Sequence, residues 1–139
     1  MKFYFAGSIR GGRDKVETYI KINELLEKYG TVLDKHVASK NVFNMEKSNT
    51  EEEIYLRDIK WIDECDLLIA EVSVPSIGVG YEIAYAEKLN KTIICLCDES
   101  IKASAMISGN KNIELIMYKN EKELLKLLEK RIKELLWIK

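Results

Sequence analysis

The chain has 139 residues, with Lys+Arg 22 against Asp+Glu 23, a net charge of -1, 32% charged and 47% hydrophobic residues. That length suits one domain, residues 1–139, with a proper core. The even charge balance excludes the basic footprint of a nucleic-acid or anionic-membrane binder. No apolar run reaches the length of a membrane span and no leader-like segment opens the chain, so a cytoplasmic protein is expected, with neither nucleic acid nor membrane as a partner.

The first strand candidate, Lys2–Ala6, breaks into Gly7-Ser8-Ile9-Arg10-Gly11-Gly12 before a helix predicted over Arg13–Tyr29. Val16, Ile20, Leu25 and Tyr29 fall near one face of that helix, and Gly30 is a good C-terminal stop. A short strand follows at Thr31–Leu33, then a long polar stretch, Asp34–Asn49, that reads as a loop. Thr50 with Glu53 three residues on is a capping-box pattern opening a helix over Thr50–Glu64. The run Leu67–Val72 is apolar almost throughout, as in a strand buried on both faces. A helix over Gly80–Leu89, a strand at Thr92–Leu96, a loop over Asp98–Asn112, a strand at Leu115–Tyr118 and a helix over Glu121–Leu136 complete the pattern. Strands alternating with helices predict an α/β fold: a doubly wound, Rossmann-like or flavodoxin-like parallel five-stranded sheet with helices on both faces.

Cys65, Cys95 and Cys97 make no disulfide framework, and His36 is the only histidine, so the thiols read as buried and structural and no metal site is expected. Ligands of open α/β sheets sit beyond the carboxyl ends of the strands. There the glycine-rich loop after the first strand has two readings. Glycine suits a tight strand-to-helix turn; equally, small residues, backbone N–H groups, Ser8 and Arg10 suit a phosphate. The loop is neither a P-loop nor a full dinucleotide fingerprint, so by itself it leaves both open.

The third strand leads into Glu71-Val72-Ser73-Val74-Pro75-Ser76-Ile77-Gly78-Val79-Gly80-Tyr81-Glu82, where the only proline and two close glycines mark a loop. Glu82 then falls in the first turn of the next helix, either as an acid stabilised by the helix dipole or as a nucleophile or base. Asp58 has the ordinary reading of an exposed helix acid, and Asp66 that of a turn residue. His36 is either structural or a ligand group at the sheet edge.

Four segments taken together resemble the 2'-deoxynucleoside 5'-monophosphate N-hydrolases of the nucleoside 2-deoxyribosyltransferase superfamily. They are Tyr4-Phe5-Ala6-Gly7-Ser8-Ile9-Arg10-Gly11-Gly12-Arg13, Asp58-Ile59-Lys60-Trp61, Ala70 through Glu82, and Ser104-Ala105-Met106-Ile107. They follow the family's order along nearly the whole chain. Gly30-Thr31-Val32-Leu33 with His36-Val37-Ala38 is similar to the family's second strand and its exit, whereas 41–53 matches nothing clearly.

The resemblance implies that Glu82 attacks the anomeric carbon of the sugar, that Asp58 assists proton transfer to the departing base, and that Tyr4 positions Glu82. It implies a 5'-phosphate cradle of Gly7, Ser8, Ile9, Arg10, Gly11, Ser76 and Gly78. Ser104 and Met106 would join from the second subunit of a homodimer, with Met106 against the base, and His36 would contact the substrate. No cofactor is implied. The cluster of Ser and Arg favours a nucleotide over the free 5'-hydroxyl of a nucleoside transferase substrate. The other readings are a ribonucleotide N-glycosidase of the CMP type and a non-catalytic nucleotide sensor; a flavodoxin-like redox domain lacks supporting aromatic loops.

Overall fold

All five strands form and all pair in parallel, in a computed structural model that describes residues 1–9 and 15–138. They are β1 (Lys2–Ala6), β2 (Thr31–Val32), β3 (Leu67–Glu71), β4 (Thr92–Asp98) and β5 (Glu114–Tyr118), in the order β2-β1-β3-β4-β5. The helices are α1 (Val16–Glu27), α2 (Val42–Glu46), α3 (Glu51–Glu64), α4 (Ile77–Lys88), α5 (Ala105–Ser108) and α6 (Glu121–Ile138). The strand order reverses between β1 and β3, which makes the crevice at their carboxyl ends the switch point of the sheet.

Strand periodicity splits the core into two layers. Phe3 and Phe5 of β1, Leu67 and Ile69 of β3, and Ile94 and Leu96 of β4 pack on one face with Tyr19, Ile22 and Leu26 of α1 and Leu124, Leu128 and Ile132 of α6. Tyr4, Ala6, Leu68, Ala70, Ile93 and Cys95 point the other way, against Ile62 of α3 and Ile83 and Ala86 of α4. The doubly wound fold is therefore as the sequence predicts. Cys65, Cys95 and Cys97 are free, buried thiols. Among the described residues no helix is long and apolar enough to cross a membrane.

Three segments differ from the sequence-based expectation. The stretch read as one loop over 34–49 contains a 3₁₀ turn at Lys35–Ala38 and the short α2, tied down by buried Val37, Ala38 and Val42. The loop over 98–112 contains α5, capped by Ser104 Oγ on Met106 N–H at 3.2 Å. Helix α4 starts three residues before the predicted Gly80, because Ser76 caps it by accepting from Val79 N–H at 3.3 Å. Gly78 and Gly80 are consequently helical. The residues from Arg10 to Asp14, with the predicted start of the first helix, lie outside the described residues.

Candidate active site

Tyr4 is a buried aromatic on the α3/α4 face of β1, yet it carries a hydroxyl that must find a partner there. It finds Glu82: the phenol donates to the Oε2 of that carboxylate. The earlier start of α4 matters to the reading of Glu82. Counting from Ile77, Glu82 is the sixth helical residue, beyond the turn where the dipole acts appreciably. The expectation of a first-turn acid is thereby corrected, and dipole stabilisation no longer accounts for this residue.

Electrostatically the pair is strained in a useful direction. Burial pushes the Glu82 carboxyl up to about 7; the Tyr4 hydrogen bond pulls it down, Asp58 and Glu46 push it up, and Arg57 pulls it down. Burial also raises Tyr4 well above the ordinary phenol range, with Glu82, Asp34 and Asp58 adding to the rise, so Tyr4 stays a donor. Asp58, on α3, is raised by burial against the opposing pull of Arg57. Two neighbouring carboxyls with raised proton affinity, Glu82 and Asp58, are the kind of perturbed pair that acid–base sites carry.

Around Asp58 runs a polar network from three elements. Arg57 Nε donates to Asp58 Oδ1 at 3.0 Å and Arg57 Nη2 to Glu46 Oε2 at 2.7 Å. His36 Nε2 lies 2.8 Å from the same Glu46 oxygen, and the imidazole packs against Trp61 with ring centroids 5.8 Å apart. The Arg57 guanidinium sits 4.9 Å from the Trp61 ring centroid, a cation–π contact that fixes its plane. His36 and Asp58, placed separately by the sequence, are therefore parts of one cluster.

The predicted phosphate residues are placed as follows. Gly7 is buried, and a Cβ there would meet the Tyr19 ring at 2.9 Å, so packing demands this glycine. Ser8 is buried, its N–H donating to Tyr19 Oη at 3.1 Å, and Ile9 is half-buried. Arg10 and Gly11 lie outside the described residues. Ser76 caps α4, and a Cβ on Gly78 would approach only Ser76 Oγ, at 3.9 Å. Among the described residues, no packing neighbour thus requires glycine at 78. Ser104, the cap of α5, and Met106 on that helix are exposed, Met106 to 80%, and no hydrogen bond joins them to Tyr4, Asp58 or Glu82.

The sequence reading missed Asp34, Glu46 and Arg57. Asp34 is fully buried; its Oδ1 accepts from Phe5 N–H at 2.8 Å, serving β1 where β2 has ended. Among the described residues its Oδ2 has no hydrogen-bond partner, and burial raises its carboxyl well above the ordinary range, opposed by the Phe5 N–H. An acid directly after a strand at the ligand-binding edge was a usable signal for it. Glu46 carried no such signal, because its segment showed no periodicity.

A protein-family model described as nucleoside 2-deoxyribosyltransferase matches residues 3–125. A Syntrophotalea carbinolica protein provisionally named 2'-deoxynucleoside 5'-phosphate N-hydrolase 1 is 42% identical over 136 residues, covering 96% of each chain. The 5-hydroxymethyl-dUMP N-hydrolase of Danio rerio is 40% identical over 126 residues, covering 88% of each. Among solved structures, the CMP N-glycosidase of Clostridium botulinum superposes with a TM-score of 0.69 at 27% identity, over 93% of this chain and 99% of that one.

Proposed function

The chain belongs to the nucleoside 2-deoxyribosyltransferase family, and on that premise we propose that it hydrolyses the N-glycosidic bond of 2'-deoxynucleoside 5'-monophosphates. The products are the free nucleobase and 2-deoxyribose 5-phosphate. The observation that carries this reading is the part-buried Tyr4–Glu82 bond with Asp58 close enough to perturb both groups.

In this mechanism a Glu82 carboxylate oxygen forms a bond to the anomeric carbon as the bond to the base nitrogen breaks through an oxocarbenium-like transition state. The bonding electrons leave with the base, which takes a proton from Asp58. Water then attacks the glycosyl ester; its proton passes to Asp58 and Glu82 leaves as a carboxylate. Tyr4 holds the attacking oxygen in place by its hydrogen bond and favours the ionised form.

The 5'-phosphate is held by the backbone and side chains of Gly7, Ser8, Ile9, Arg10 and Gly11, with Ser76 and Gly78 closing the cradle from the start of α4. Supporting this placement, among the described residues a Cβ on Gly78 would approach only Ser76 Oγ, at 3.9 Å. His36 contacts the substrate. Ser104 and Met106 complete the site across a homodimer interface, a reading supported by the exposed apolar side chains Tyr55, Leu56, Ile77, Tyr81 and Met106 on α3, α4 and α5.

A second reading, a ribonucleotide substrate, is favoured by the likeness to the CMP N-glycosidase. One panel separates them: dNMPs, NMPs and deoxynucleosides incubated with the protein, with free base followed by chromatography. Release from a dNMP alone is expected. Release only from an NMP sinks the deoxyribose reading, and binding without any release sinks the enzyme. Intact-mass spectrometry of acid-quenched enzyme tests for the glycosyl ester, which Glu82→Ala must lack.

A further inference from the structure

The last residue of α2, Glu46, is packed to 11% side-chain exposure against His36 and Arg57. One oxygen does all the bonding: Glu46 Oε2 lies 2.8 Å from His36 Nε2 and 2.7 Å from Arg57 Nη2. Arg57 Nη2 is in turn 3.2 Å from His36 Nε2. These distances pose a choice. Either His36 Nε2 carries a proton and donates it to Glu46, or it is bare and accepts from Arg57.

Physical chemistry decides between them. Arginine is always charged and already has carboxylate acceptors in Glu46 and Asp58. Burial pushes the Glu46 carboxyl up, but the bonds from Arg57 and His36 outweigh it and hold the group below its ordinary range, so it remains a carboxylate. A bond to a carboxylate is about twice as strong as one between neutral groups. The proton therefore belongs on Nε2. In the neutral ring Nδ1 is then bare, and among the described residues it makes no hydrogen bond.

We propose that Glu46 is a positioning residue: its Oε2 fixes the Nε2–H tautomer of His36 and anchors Arg57 against Asp58, which presents His36 Nδ1 as the acceptor available to the substrate. A helix from the one stretch without a recognisable pattern thus sets the working atom of the histidine. The functional part rests on the nucleotide hydrolase reading; the tautomer does not.

His36 is the chain's only histidine, so long-range proton–nitrogen NMR spectra show a single imidazole. In spectra of the neutral ring, wild type shows protonated Nε2 and bare Nδ1. In Glu46→Leu the acceptor is gone, Arg57 donates to Nε2, and the ring reverses to the Nδ1–H form. Its kcat for base release from a dNMP falls about tenfold or more with little change in KM, part of the roughly 10²–10⁴-fold that positioned proton transfer contributes. Glu46→Gln keeps an acceptor oxygen and retains the wild-type tautomer with most of its kcat.

A merely structural Glu46 lowers the melting temperature of Glu46→Leu without reversing the ring. The proposal is overturned by a wild-type ring protonated at Nδ1, or by Glu46→Leu with unchanged ring and kcat. The wild-type spectrum decides even where Glu46→Leu does not fold. Wild type that releases no base from any nucleotide defeats the hydrolase reading alone, since the ring spectra still settle the part played by Glu46.

Discussion

Removing the Tyr4 hydroxyl isolates one bond and reads out in the pH profile. Glu82 must be ionised to attack, and burial holds its carboxyl at about 7 even with Tyr4 pulling it down. In Tyr4→Phe the phenol donor to Oε2 is lost and the ring stays in the core. A hydrogen bond to a charged group is worth roughly 1.5–3 kcal/mol. At about 1.36 kcal/mol per pH unit, the acid limb of kcat/KM moves about one to two units to higher pH. The assay is initial base release from one dNMP between about pH 5 and 9.5, in wild type and variant, since kcat/KM reports the free enzyme's ionisations. The substrate phosphate also titrates near about pH 6, but it does so equally with both enzymes and cancels in the comparison. An acid limb that stays put in Tyr4→Phe, or moves to lower pH, refutes the assignment of this bond as the group that keeps Glu82 ionised.

Stability gives an independent view of the same carboxyl. Because the folded protein raises the Glu82 proton affinity to about 7, its contribution is most favourable below the ordinary carboxylate range and is lost as pH rises through about 7. Glu82→Gln therefore matches wild type near about pH 4 and exceeds it by up to about 3 kcal/mol at about pH 8; urea unfolding at the two pH values checks this, and an equal gain at both contradicts it. At the edge of β1, Asp34→Leu orphans the Phe5 N–H and costs about 1–3 kcal/mol, whereas Asp34→Asn keeps an acceptor and most of the stability. Equal denaturation midpoints for the two Asp34 variants would show that this bond contributes nothing.

Much of the fold was legible because its signals are local. Near-continuous apolar runs such as Leu67–Glu71 require burial on both faces, and Thr50 with Glu53 forms the capping box at the start of α3 that the spacing predicts. The start of α4 was misplaced because Gly78 and Gly80 read as breakers. A glycine inside a helix costs only about 1 kcal/mol, and the Ser76 cap, the chain leaving Pro75, and the burial of Val79 and Ile83 outweigh it. The same error put Glu82 in the wrong turn, where a dipole explanation competed with a chemical one.

By itself the sequence determined the alternation of strand and helix, the two-faced core, and the residue types at the sheet's carboxyl edge, with Ser8 and Arg10 in the glycine-rich loop that suits a phosphate. Those properties depend on neighbours within a few positions of one another. Only the tertiary structure decided which charges meet: Tyr4 on Glu82, 78 residues apart, and Glu46 between His36 and Arg57. Burial and proximity, which set the proton affinities of Glu82 and Asp58, arise when α3 and α4 pack over the Tyr4 face of the sheet and α2 brings Glu46 to Arg57, and have no counterpart in local pattern.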